Sequence, residues 1–194
     1  EVSKVHYLII FESRIPKAIT ALLCGASLSV AGLLMQTLFR NPLAGPYILG
    51  ISSGAGLGVA FLLMGGSLLG LAVTSSFSIS VAAIVGSMVI LFLLFLLSLK
   101  IKDVMTLLIL GVMIGSIATA IIGVLQYFTS DFQLKSFLIW TLGSLSAVSY
   151  NELTWMMIFI IPAIALAFIM SKNMNIMLLG ESYAISIGLN INSS

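Results

Sequence analysis

Residues 41–99 read NPLAGPYILGISSGAGLGVAFLLMGGSLLGLAVTSSFSISVAAIVGSMVILFLLFLLSL, without one Asp, Glu, Lys, Arg or His. A face turned to water needs charged or strongly polar side chains at regular intervals, and this run has none to offer. The pattern holds outward across the chain. Of its 194 residues 60% are hydrophobic and 7% charged, where ordinary soluble domains carry about 25% charged residues. The mean hydropathy is +1.24. Such a composition excludes a soluble enzyme, a disordered segment and a nucleic-acid binder. It places the chain in a bilayer.

A spanning helix needs about 20 mainly apolar residues, and five segments qualify: Ala18–Phe39, Tyr47–Gly65, Phe77–Leu99, Val104–Phe128 and Leu153–Ser171. None alternates with period two, so helices are expected rather than barrel strands. Turn residues fill the breaks. Arg40-Asn41-Pro42 with Gly45-Pro46 separates the first two spans, and Lys100-Ile101-Lys102-Asp103 makes a charged hairpin after the third. Between Thr129 and Asn151 the segment Gln133–Leu142, with Phe137 and Trp140, suits a membrane interface. Pro162 lies inside the fifth span and predicts a kink that neighbouring helices accommodate. The expected fold is all-α, a polytopic transmembrane bundle of about five spanning helices in one domain, residues 1–194. The chain starts at Glu1 rather than Met and stops at Asn-Ser-Ser, and reads as a fragment.

Small residues recur at helical spacing: Gly50, Gly54 and Gly58; Gly111, Gly115, Thr119 and Gly123; Gly25, Ser29, Gly32 and Gln36. In lipid such stripes let backbones approach closely, because the bilayer supplies no hydrophobic drive between helices. Plain helix packing accounts for them, so Gly25, Gly32, Gly50, Gly54, Gly58, Gly111 and Gly115 are expected packing residues. Cys24, the single cysteine, reads as a buried inert thiol. Orientation is undecided by charge alone. Lys4, Arg14, Lys17 and Lys135 fall on one side, and Arg40, Lys100, Lys102 and Lys172 on the other, a tie under the positive-inside rule.

The chemistry is marked mainly by what the spans lack. Ionisable residues inside a membrane are the usual sign of proton or ion coupling, yet Asp103, Asp131 and Glu152 sit at or beyond span ends. An ion-coupled secondary transporter, the alternative reading, would show ion ligands near the midplane in broken helices. His6 has no second ligand nearby. There is no nucleophile constellation, no metal cluster and no GxxxxGK[ST] loop. No catalytic, cofactor or metal residue is therefore expected in this chain.

Three segments carry more information. Arg14-Ile15-Pro16-Lys17 puts two cations at a helix start with Pro in the first turn, which interfacial snorkelling also explains. Gln36 through Ala55 holds Asn41-Pro42-Leu43-Ala44-Gly45-Pro46, then Leu49-Gly50, Ser52 and Gly54-Ala55. Leu179-Gly180-Glu181, Ala184 and Gly188-Leu189 make a short amphipathic element that an interfacial helix would also fit. Together with Gly25-Ala26, Gly32 and Gln36, these residues resemble, in order and over essentially the whole chain, the FecCD family of bacterial ABC importer permeases. Lys17 stands where that family usually has a second Arg, keeping the charge and losing the bidentate geometry.

The resemblance implies a permease subunit for iron-siderophore, haem or cobalamin, with about ten spans in the whole protein, set in the bacterial inner membrane as a multi-pass protein. It implies a second permease subunit, in a homodimer or close heterodimer, ABC ATPase subunits that hydrolyse ATP, and a periplasmic or lipid-anchored binding protein. It makes residues 1–17 an external segment and Arg14 and Lys17 the docking residues for the binding protein, which breaks the charge tie. Asn41, Pro42, Leu43 and Ala44 become the cytoplasmic gate. Residues 172–194 become the start of the ATPase-contacting loop, with Gly180, Glu181, Ala184 and Gly188 as its contact residues.

Overall fold

The computed structural model describes residues 2–66, 75–101, 103–145 and 148–178. Among them every regular element is helical: α1 (Val2–Leu8), a π turn (Ile9–Arg14), α2 (Ile15–Phe39), α3 (Ile51–Ala60), a second π turn (Phe61–Gly65), α4 (Ser76–Ser98), α5 (Val104–Phe128), α6 (Asp131–Leu142) and α7 (Tyr150–Leu178). Four stretches are long and apolar enough to cross a membrane: Lys4–Phe39, Ser76–Ser98, Val104–Phe128 and Tyr150–Lys172. The second expected span, from Tyr47, starts later in the structure. Residues 46–50 form turns, and Gly50 takes φ +71° at the cap of α3. A left-handed residue interrupts helical propagation, so the helical run begins at Ile51 and continues to Gly66, the last described residue of this stretch.

The chain divides into two compact units, Glu1–Gly45 with Leu145–Ser194, and Pro46–Ser144. In the first, α2 packs on α7. The helix expected to start beside Arg14 is instead preceded by another helical segment. Pro16 has no N–H to give to the carbonyl four residues back, and its ring crowds that carbonyl. The chain answers with a π turn, in which Ile15 N–H bonds the carbonyl of Ile10. π turns leave carbonyls without their usual partners, and the Tyr150 hydroxyl, at the start of α7, donates to the carbonyl of Phe11. Thr20 Oγ1, buried, donates to the carbonyl of Pro16 at 2.8 Å. Helix α7 runs unbroken through Pro162.

The second unit is built on α3, which packs against α4 and α5. A Cβ on Gly54 would collide with Ile90 and the carbonyl of Gly86, and one on Gly58 with the carbonyl of Ala82. Gly50 meets α5 in the same way, where a Cβ would lie 2.7 Å from the carbonyl of Gly111 and 3.0 Å from Gly115 Cα. Below these seams Val59, Ala60, Leu63, Met64, Ile122 and Phe137 form the core. Composition puts α6 at the membrane interface, but its Phe137 is 5% exposed and fills that core. The aromatic ring covers apolar helix surface that would otherwise lose its packing partners.

Candidate functional site

The end of α2 is closed by a dense set of hydrogen bonds. Arg40 adopts φ +46° and ψ +37°, the left-handed cap that turns a chain back on its helix. Its amide reaches the carbonyl of Thr37 at 3.3 Å, and the Asn41 amide reaches that of Gln36 at 3.1 Å. The second bond is the six-residue closure that gives helix-end carbonyls a partner. Asn41 then organises residues 42–44. Its Oδ1 accepts from the Leu43 amide at 2.9 Å, and its carbonyl accepts from the Ala44 amide at 3.0 Å. Pro42 between them has a fixed φ. Its carbonyl accepts from Gln36 Nε2 at 3.0 Å.

This network has a physical output at its apex. Leu43 is 86% exposed while Ala44, the next residue, is 2% exposed. Leu43 therefore projects from a pinned turn beside a buried neighbour, and with Leu142 it is the most exposed of the large apolar residues described. Of the four expected gate residues the structure thus brings Asn41, Pro42, Leu43 and Ala44 into one rigid turn. It gives Asn41 the organising role and Leu43 the projecting one.

The second unit carries a cleft of about 410 Å³ lined by Tyr47, Gly50, Ser53, Gly115, Ser116 and Thr119 among others. Two of its hydroxyl protons are tied back to their own helix, Thr119 Oγ1 to the carbonyl of Gly115 at 2.9 Å and Ser116 Oγ to that of Val112 at 2.9 Å. The Tyr47 and Ser53 hydroxyls also line it, and the lining carries no charge. Spacing marks Gly115 and Thr119 for packing, and their second role as cleft lining is visible only once α3 and α5 are side by side.

Arg14 and Lys17 are both exposed, on either side of the buried Pro16. Neither has a partner among the described residues. The expected ATPase-contact residues Gly180, Glu181, Ala184 and Gly188 lie outside the described residues. Two expected packing residues differ from the rest: a Cβ on Gly25 or Gly32 would meet nothing within 4 Å. Small residues permit close approach without supplying a neighbour, and on α2 this stripe makes no close helix contact. A Cβ on Gly50, Gly54, Gly58, Gly111 or Gly115 would come within 3.0 Å of a neighbouring segment. No group of three or more His, Cys, Asp or Glu is placed to hold a metal among the described residues.

The family model described as the FecCD transport family matches residues 1–194. The chain belongs to the FecCD transport family. It is 36% identical over 182 residues to the vitamin B12 import system permease protein of Klebsiella pneumoniae subsp. pneumoniae, a match covering 94% of this chain and 54% of that protein. The protein of the same description from Salmonella arizonae is 35% identical over the same shares. The chain spans about half the length of these curated relatives. Among solved structures it is similar to a chain reported as an inward-facing conformation of a metal-chelate type ABC transporter. That likeness has a TM-score of 0.88 and 26% identity, and covers 100% of this chain and 60% of that one. This family member is a multi-pass membrane protein of all-α fold.

Proposed function

We propose that this chain forms part of the permease subunit of a binding-protein-dependent ABC importer, and that its cargo is an iron-siderophore, haem or cobalamin. The observation that carries the reading is the pinned turn at the end of α2. A gate needs a bulky apolar group that two subunits can bring together, and it needs a backbone stiff enough to move as one piece. Leu43, exposed on a turn fixed by Pro42 and by bonds within residues 36–44, meets both needs. Ser76–Ser98 and Val104–Phe128 hold no acidic residue, and Glu12 and Glu152 lie toward the N-terminal ends of the other two described spans, a pattern that favours an external energy source over ion ligands near the midplane.

In this reading the full-length protein pairs with a second permease subunit and sits in the bacterial inner membrane. Separate ATPase subunits hydrolyse ATP and engage the segment Gly180–Gly188. Arg14 and Lys17 receive carboxylates of a periplasmic or lipid-anchored binding protein, and rim charges of this kind steer association more than they set affinity. The names of the relatives favour cobalamin, and that of the structural neighbour favours a metal chelate. The test is purification of the full-length chain in mild detergent. An ATPase and a soluble binding protein should come with it in fixed ratio, and the binding protein should stimulate ATP hydrolysis. A chain that purifies alone and transports in response to an ion gradient would replace this reading with the secondary-transporter one.

A further inference from the structure

We infer that Gln36 is a positioning residue that latches the turn carrying Leu43, so that the turn swings as a unit only when the Gln36 side chain lets go. The inference rests on the gate reading above for its consequence in transport, though not for its structural content.

Gln36 is in the last turn of α2 and addresses the turn twice. Its backbone carbonyl accepts from the Asn41 amide at 3.1 Å, and its side-chain Nε2 donates to the carbonyl of Pro42 at 3.0 Å. The two bonds differ in what they hold. The backbone bond belongs to the helix cap and would persist through small rotations about residues 41 and 42. The side-chain bond spans six residues and crosses the hinge itself. Proline cannot absorb a change in φ, and the Asn41 side chain and carbonyl fix Leu43 and Ala44 to Asn41. Residues 41–44 therefore move together, and Gln36 Nε2 ties that rigid group to the helix from which it would swing.

The chemistry of the side chain suits the task. Pro42 offers a carbonyl and no N–H, so its partner must be a donor. Gln supplies the donor at the right reach and carries no charge to draw it into water. Glu has the same shape, but when ionised it only accepts. Met has similar length and neither donates nor accepts strongly. Leu43 has almost no packing of its own at 86% exposure, so its direction is set by the turn. The latch on the turn is then a control on where Leu43 points.

The experiment uses the full-length permease with its ATPase in lipid nanodiscs, as wild type, Gln36→Met and Gln36→Glu. Hydrogen–deuterium exchange is read at the Asn41 amide, which bonds from the turn back to the Gln36 carbonyl, with the Leu43 and Ala44 amides, bonded within the turn, as internal references. Losing one hydrogen bond of ordinary strength should speed exchange at Asn41 roughly two- to tenfold in both variants. Unchanged exchange in Gln36→Met overturns the latch, as does acceleration confined to Gln36→Glu, which would report an added charge rather than a lost donor. Cargo leak and ATP hydrolysis without binding protein are measured on the same samples, and both should rise. Faster exchange with wild-type leak and hydrolysis would leave the latch standing and remove the gate reading.

Discussion

The tightest helix contact among the described residues gives the most direct mutational forecast, Gly58→Ala. Gly58 lies on α3 against α4, where an added Cβ would overlap the backbone carbonyl of Ala82 and sit 3.1 Å from Gly86 Cα. Carbon atoms rest about 3.5–4.0 Å apart, and neither neighbour is a side chain that could rotate away. The helices must separate by roughly 0.5–1 Å, a gap at which packed atoms forfeit a quarter to a half of their attraction. The core formed by Val59, Ala60, Leu63 and Met64 continues along this helix and its π turn and would feel the shift. Overpacking of this kind costs about 1–3 kcal/mol. For a chain of this size that is roughly 2–12 °C in the thermal midpoint. Gly123→Ala is the control, because a Cβ there meets nothing within 4 Å and alanine is the better helix former by about 1 kcal/mol. The assay is thermal unfolding in detergent followed by tryptophan fluorescence. A Gly58→Ala midpoint equal to wild type, or one no lower than that of Gly123→Ala, would refute the seam between α3 and α4.

Other parts of the molecule give further expected outcomes. Arg14→Glu combined with Lys17→Glu should slow association with the binding protein and flatten its salt dependence, read by surface plasmon resonance; unchanged kinetics would take both residues out of docking. Tyr150→Phe removes the donor to the Phe11 carbonyl, so amides around the π turn should exchange a few-fold faster while those of α4 and α5 keep their rates. Asp103 caps α5, and the Thr106 hydroxyl and amide that bond its carboxylate hold its pKa below the ordinary value. A lowered pKa means that the cap's contribution is complete above the ordinary carboxylate range and is lost as the pH falls through the depressed value. The stability advantage of wild type over Asp103→Asn should therefore shrink on acidification below about pH 4, and a pH-independent difference would contradict the assigned cap.

How much of this could be read from residues alone depends on how local the cause is. Helix α5 has the bounds expected for it, Val104–Phe128, because Asp103 is a cap and the hairpin before it is charged. The Gly50–Gly58 ladder announces a close contact, and its partners Ala82 and Gly86 share the same four-residue spacing with Ser78 on α4, but spacing does not say which ladder meets which. The Gly25–Gly32 stripe has the same kind of spacing and no close neighbour, since spacing says what a face permits and not what meets it. Phe137 departs from expectation for a related reason. An aromatic ring in a short helix suits an interface and a core equally, and only the position of α6 beside Val59 and Met64 decides. The π turn has a legible cause in Pro16, yet whether a helix precedes that proline is beyond local pattern. In the candidate gate, Pro42 and Asn41 advertise a turn. The Gln36–Pro42 bond depends on the left-handed Arg40, a conformation that an arginine does not signal.

The central claim is that this chain belongs to a path opened by ATP hydrolysis elsewhere. The measurement that addresses it is cargo uptake into sealed vesicles containing the full-length permease and its ATPase, with binding protein outside and ATP inside. The cargo panel is a ferric siderophore, haem and cobalamin, each labelled. One of the three should accumulate only when both ATP and binding protein are present, and Leu43→Ala should raise ATP hydrolysis relative to cargo moved. Accumulation that needs no ATP, or that collapses with a proton or sodium gradient while ATP is supplied, would contradict the account.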